Sequence, residues 1–290
     1  MPELTIGHAG LHRIEELRIP NKIGYFTQDA ALIDAHRHWL EPHFLSAAGG
    51  FDLVFQSWVF ETAGRVVLVD PCTGNGKPHV VPFFDMLDTP FIERLEQAGF
   101  RPDDVDIVVC THLHHDHCGW NTMLRGGNWV PTFPKARYVM QRAEVDRWGR
   151  DRHLHPAFAY NDGVFERSVQ PVLDAGLAEI VTGKRLLAPG LTVEHAPGHT
   201  SGHQLLHLVS DQREALFTGD CFHHPIQLVD PGNPFGDAED PVLLAATRRQ
   251  LAQRAADSGA LLIPAHLPAP YAVRAWHENG AIRFAAANTG

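Results

Sequence analysis

Cysteine is scarce. Four residues, Cys72, Cys110, Cys118 and Cys221, are scattered over 290 positions, too few to staple a chain of this size. Reduced thiols in a cytoplasmic protein are the expectation. It is reinforced by the N-terminal stretch M-P-E-L-T-I-G-H, which lacks a basic segment followed by an apolar one. No apolar run is long enough to span a bilayer. Positive charge is also in deficit: 24 Lys and Arg stand against 34 Asp and Glu, a net charge of −10 with histidine neutral. Such a surface repels phosphate backbones and anionic lipid, so neither nucleic acid nor membrane is an expected partner. Low-complexity tracts, linkers and short-period repeats are missing as well, which predicts one domain over residues 1–290.

What is present reads as a mixed α/β chain. Residues 56–70, Q-S-W-V-F-E-T-A-G-R-V-V-L-V-D, form a hairpin pattern: two β-rich runs around a glycine turn. Thr89 and Pro90 read as the N-cap and first position of a helix closed by Gly99. A buried strand is expected at 105–110, and further strands at 135–140, 191–196, 204–210, 215–218 and 260–264. A helix should run from the Asp240-Pro241 cap to about Asp257, with Gly259 as its stop. Residues 141–182 read as a mostly helical insertion. The stretch 39–51, W-L-E-P-H-F-L-S-A-A-G-G-F, reads as core in preference to a lid or dimer contact. The loop C-T-G-N-G-K-P at 72–78 lacks phosphate-loop spacing and reads as a turn.

Histidine, with 20 copies, is not scarce. Residues 111–119 read T-H-L-H-H-D-H-C-G, placing His112, His114, His115, Asp116 and His117 just past a predicted strand. Imidazole and carboxylate are ligands that zinc takes. One loop cannot surround two ions, and further donors follow other predicted strand ends. These are His199 in A-P-G-H-T-S-G-H, Asp220 in T-G-D, and His266 in P-A-H.

These motifs, together with L-V-D ending at Asp70, resemble those of the metallo-β-lactamase-fold hydrolases, in that family's order from residue 70 to 266. The resemblance implies an α/β fold of αβ/βα sandwich type: two mixed sheets with helices on the outer faces and a two-metal site at their common edge. It assigns His112, His114 and His199 to one ion, Asp116, His117 and His266 to the other, and Asp220 to both. His115 falls at the variable position. Asp70, by itself a turn residue before Pro71, becomes a hydrogen-bonding support for a ligand. Two divalent ions are implied, zinc first, with manganese, cobalt or iron suited to the same donors. In such a site a metal-bridging hydroxide attacks the substrate, and Asp116 or Asp220 passes the proton on.

Within the family, the third motif and the spacing from Arg248 to His266 are similar to the N-acyl homoserine lactonase and methyl parathion hydrolase branch. That branch implies an uncharged or weakly charged lactone, ester or phosphotriester substrate, and suggests a homodimer. Trp120, Phe222, His223 and His224 adjoin ligands in sequence and are the candidate pocket residues; core packing or a plain loop role competes for each. Cys118 and Cys221 read as small residues beside the site, since neither sits in a nucleophile pattern. A phosphodiesterase or nuclease of the same fold would need a basic groove. A non-hydrolytic redox or sensor protein would show stable iron and oxygen-dependent turnover.

Overall fold

The computed structural model describes residues 1–149, 156–233 and 238–287. Its first half is β1 (Leu4–Ile6), β2 (Ala9–Lys22), α1 (Ala30–Leu40), β3 (Gly50–Thr62), β4 (Arg65–Val69), α2 (Phe91–Gln97) and β5 (Ile107–Val109). Next come α3 (His115–Cys118), the hairpin of β6 (Thr122–Arg125) and β7 (Asn128–Pro131), β8 (Arg137–Gln141), α4 (Arg142–Gly149), α5 (Gln170–Asp174) and β9 (Ala178–Val181). The second half is β10 (Arg185–Ala188), β11 (Leu191–His195), β12 (Gln204–Ser210), β13 (Arg213–Gly219), α6 (Ile226–Val229), α7 (Pro241–Ser258), β14 (Leu261–Pro264), β15 (Val273–Glu278) and β16 (Ala281–Ala286). Among the described residues, two mixed seven-stranded sheets are ordered β1-β2-β3-β4-β5-β8-β9 and β10-β11-β12-β13-β14-β15-β16, and β6 and β7 pair separately as a two-stranded sheet.

The period of two along the strands builds the sandwich. Val67 and Val69 of β4 and Ile107 and Val109 of β5 point inward, where they meet Leu206, Leu208, Ala215 and Phe217 of the other sheet. The residues between them point the other way. Leu68 and Val108 pack under Phe91 and Leu95 of α2. Leu205 and Leu216 pack under Leu244, Leu251 and Ala255 of α7. Strands with both faces covered read as continuous apolar runs, which is how V-V-L-V and I-V-V look. The sandwich with outer helices is the architecture the resemblance implied.

Helix boundaries follow the caps. Asp240 accepts from Leu243 N at 2.9 Å, and Gly259 adopts φ +74° behind the last turn of α7, as expected. At α2 the expectation fails in detail, because Pro90 is the N-cap. The hydroxyl of Thr89 bonds Asn75 Oδ1 at 3.1 Å instead, since Asn75 also takes the Thr89 backbone N–H and so fixes the preceding loop. The 39–51 stretch is core at its apolar positions: Trp39, Leu40, Phe44, Leu45 and Phe51 are all buried. Between Arg142 and Val181 the chain forms α4, a 3-10 turn, a π-turn, α5 and β9, and β9 pairs parallel with β8. The part of the expected insertion at 150–155 lies outside the described residues. Among those residues no helix is long and apolar enough to cross a membrane.

Candidate metal centre

Parallel pairing of β4 with β5, and of β13 with β14, brings four strand ends to one edge of the sandwich. Each is followed by a polar side chain that turns toward the same point. Asp70 follows β4, the 112–117 motif follows β5, Asp220 follows β13 and His266 follows β14. The loop from β11 to β12 adds His199.

The donors fall into two groups with Asp220 between them. His112 Nε2 and His199 Nε2 lie 2.9 and 3.1 Å from His114 Nδ1, and 3.8 and 3.5 Å from Asp220 Oδ2. On the other side, His117 Nε2 and His266 Nε2 lie 3.3 and 3.1 Å from Asp220 Oδ1, and each is 3.5 Å from Asp116 Oδ2. One carboxylate therefore offers a separate oxygen to each group. Three imidazole nitrogens converging on one point cannot all be satisfied by hydrogen bonds to one another, and within the cluster Asp220 Oδ1 and His117 Nε2 have no hydrogen-bond partner. This donor set fits metal ions.

The electrostatics of the first group agree, while in the second burial is outweighed by the Asp220 and Asp116 carboxylates, which raise His117 and His266; both would give up their protons to a bound cation. Burial pushes His112 and His199 well below the usual imidazole range and His114 down to about 3, so all three are neutral near pH 7, as ligands must be. Burial alone would raise Asp116 and Asp220, yet the neighbouring histidines, His117 first, hold both well below the usual carboxylate range.

Contacts behind the donors set which nitrogen three of the rings present. Asp70 accepts from Thr111 N at 2.7 Å and Thr111 Oγ1 at 2.8 Å, and lies 3.0 Å from His117 Nδ1, leaving Nε2 for the cluster. His266 Nδ1 donates to Val54 O at 3.1 Å. Tyr160 Oη sits 3.2 Å from His114 Nε2, so His114 presents Nδ1.

Three supporting residues escape sequence reasoning. Glu144 accepts from Leu113 N at 3.0 Å, Gly202 N at 2.9 Å and Trp148 Nε1 at 2.9 Å, and so ties the motif loop to the loop after His199. His203 Nε2 accepts the Asp220 backbone N–H at 3.2 Å. Only His203 left a trace, as the second histidine of G-H-T-S-G-H. Tyr160 and Glu144 lie in stretches without a motif.

The expected pocket residues separate. His223 joins the cluster, with Nε2 3.0 Å from Asp220 Oδ2 and its ring stacked 5.6 Å from that of His266. The structure sets the other three into the core instead. Trp120 stacks on Phe91 at 5.0 Å and donates to Glu16 Oε1 at 2.6 Å. Phe222 is fully buried among the α6 and α7 side chains. His224 packs against Phe26 and Phe51, lies 2.8 Å from Phe44 O through Nε2 and accepts from Ile226 N through Nδ1. All four cysteines are free and buried.

His224 carries a pH signature. Burial lowers it to about 4, against the opposing hydrogen bond to Phe44. In the unfolded chain it titrates near ~6.5. Between these values the unfolded state binds the extra proton, so stability falls as pH drops through that window. The expected result is a shallower acid loss of thermal stability in chelator-treated His224→Gln than in wild type between pH 6.5 and 4.5. Parallel curves would show that His224 is not held neutral.

A two-sheet sandwich that gathers histidines and aspartates at its strand ends is a scaffold suited to hold metal ions. The chain belongs to the metallo-β-lactamase superfamily, whose family model matches residues 54–266. Among curated proteins it is 24% identical to an N-acyl homoserine lactonase of a Bacillus species over 162 residues, 53% of either chain, so it spans about half the length of that relative. Among solved structures, the hydrolase AbOPH superposes with a TM-score of 0.77 at 19% identity, covering 98% of this chain and 96% of that one. AidC, a dizinc quorum-quenching lactonase solved with an N-acyl-homoserine product, superposes at 0.73 and 19% identity with the same coverage.

Proposed function

We propose that this protein is a two-metal hydrolase that opens a lactone or cleaves an ester, with neutral phosphotriesters as secondary substrates. The observation that carries the reading is Asp220, whose two oxygens face two separate histidine groups. His112, His114 and His199 would hold one ion with Asp220 Oδ2. His117, His266 and Asp116 would hold the other with Asp220 Oδ1. Bound there, divalent cations supply Lewis acidity and a water that ionises near neutral pH; zinc is the first choice, as in AidC.

The remaining work falls to the chain's own groups. Asp116 keeps Oδ1 turned away from the His117 and His266 nitrogens, available to accept a proton and pass it on. His223 places a ring nitrogen at the cluster as a donor for a substrate oxygen. Phe55, 4.8 Å from the His266 ring, and Phe84, 5.0 Å from Phe55, form an apolar wall on one side. The loop bearing Phe84 also exposes Val80, Phe83 and Met86. Such a rim suits an uncharged substrate with an apolar portion, and the net charge of −10 opposes a polyanionic one.

The test compares kcat/KM of zinc-reconstituted protein for an acyl homoserine lactone and a neutral aryl phosphotriester. The lactone should be preferred by at least about tenfold, near 1.4 kcal/mol of transition-state binding. Preference for the triester would reverse the substrate order. Turnover of neither, with two ions bound, would overturn the substrate class and leave the metal site standing.

A further inference from the structure

A small cavity borders the metal centre at His115, on the side of the ring that faces His79 and Phe84. Its polar lining is cationic. Lys77 is only 6% exposed, donates to Thr122 Oγ1 at 3.0 Å, and holds its ammonium 3.6 Å from the centre of the Trp129 ring. Arg167 spends NH2 on the carbonyl oxygens of Pro78 and Asp162. Among the described residues neither cation forms a salt bridge. Five buried polar atoms of the lining residues have no hydrogen-bond partner: Thr73 Oγ1, His79 Nε2, His115 Nδ1, Arg167 Nε and Ser168 Oγ.

Burial pushes the Lys77 ammonium down to about 7, because a buried cation without a paired counter-charge, beside unsatisfied donors, is costly; an anion beside it would restore the charge. The cavity leaves about 10 Å³ for the centre of a water-sized sphere, room for one small occupant and no more. A water molecule has two lone pairs, whereas the Lys77 and Arg167 hydrogens can only be donated and the Ser168 hydroxyl can turn to join them. An occupant that accepts from several donors and carries negative charge resolves all of this. Oxyanions such as phosphate or a carboxylate are too large.

The geometry points to a buried monoatomic-anion site, of chloride chemistry, bounded by Lys77, Arg167, Ser168 and His115. The anion joins the loop after Asp70 to the segment around residues 163–168, and braces the His115 ring next to Asp116. It is a structural site, independent of the substrate assigned to the metal centre.

Bromide is the probe. Crystals of the wild-type protein soaked in sodium bromide should show one ordered anomalous peak between Lys77 Nζ, Arg167 Nε and Ser168 Oγ. Water alone at that position, at saturating bromide, would overturn the site. In solution, the thermal midpoint of the metal-loaded protein should be about 3 °C or more higher in sodium chloride than in sodium gluconate of equal ionic strength. The difference should vanish in Lys77→Met and shrink in Ser168→Ala. Equal midpoints for wild type in the two salts, or a difference that persists in Lys77→Met as an effect of chloride on the metal centre would, each refute the proposal. If Lys77→Met does not fold, the bromide map, the wild-type pair of salts and Ser168→Ala still decide.

Discussion

Asp220→Ala should leave the protein with at most one tightly bound metal ion and a turnover reduced by more than the roughly 100-fold that loss of an outer hydrogen-bonding partner costs at a metal site. The geometry gives the reason. Each Asp220 oxygen faces a different histidine group, at 3.5 Å from His199 Nε2 and 3.1 Å from His266 Nε2. Alanine removes a donor from both groups at once and takes away negative charge that offsets two buried cations. The remaining carboxylate, Asp116, approaches only His117 and His266 through Oδ2, so it cannot replace the lost contact with His112 and His199. Elemental analysis after dialysis and kcat on the same sample make the measurement. Asp220→Asn separates the two effects, because it keeps one oxygen and the shape while removing the charge. Two retained ions and a normal rate in Asp220→Ala would sink the bridging assignment.

The parts of this molecule legible in the sequence are those governed by local rules. The α7 cap pair, Asp240 and Gly259, stands where its chemistry requires, because an N-cap carboxylate and a left-handed glycine act within a few residues. The metal motif is legible because its donors follow strand ends, and a strand end is local information. The first sheet was harder. β2 carries Arg13, Glu15, Glu16 and Arg18, so its apolar residues Leu11, Ile14 and Leu17 do not stand out as a run. Two of those charges serve long-range purposes: Glu16 holds residues 73 and 74, and Arg18 pairs with Asp52 at 2.9 Å. Glu144 was invisible for the same reason, since its partners Leu113 and Gly202 lie 31 and 58 residues away. The pocket residues show the limit of arguing from adjacency. His223 and His224 are neighbours, yet one meets Asp220 and the other packs between Phe26 and Phe51. Successive side chains in a turn point apart, and sequence distance from a ligand does not say which one faces it.

The other large effect is expected at Gly119, where the metal motif meets the loop after Asp70. Gly119 N donates to Cys72 O at 2.6 Å and Trp120 N to Pro71 O at 2.7 Å, so α3 is docked directly onto backbone. Glu16 clamps the far side of that loop through Thr73 N at 2.7 Å and Gly74 N at 3.1 Å, and takes the Trp120 indole N–H as well. A β-carbon on Gly119 would lie 1.8 Å from Thr73 O and 2.0 Å from Thr73 C. These are main-chain atoms pinned from behind, so they cannot swing aside as a flexible side chain would. Gly119→Ala must push α3 off the loop by more than an ångström, carrying Asp116 and His117 with it and breaking the hold of Asp70 on His117. A displacement of ~1 Å at a reacting centre is worth about a hundredfold in rate. The variant should therefore lose the ion held by Asp116, His117 and His266 first, together with about two orders of magnitude in kcat/KM, and unfold at lower temperature. Gly126→Ala is the control. It replaces a glycine at positive φ, +56°, whose β-carbon meets open space, so only the backbone strain of about 1 kcal/mol applies, whereas Gly119 adopts φ −62°, which alanine takes without strain. If Gly119→Ala lost no more stability than Gly126→Ala and kept its metal, the close approach of Gly119 to Thr73 would not be what holds the centre. A loss of metal confined to Gly119→Ala means that the centre depends on backbone-to-backbone contact, which only glycine permits at that position.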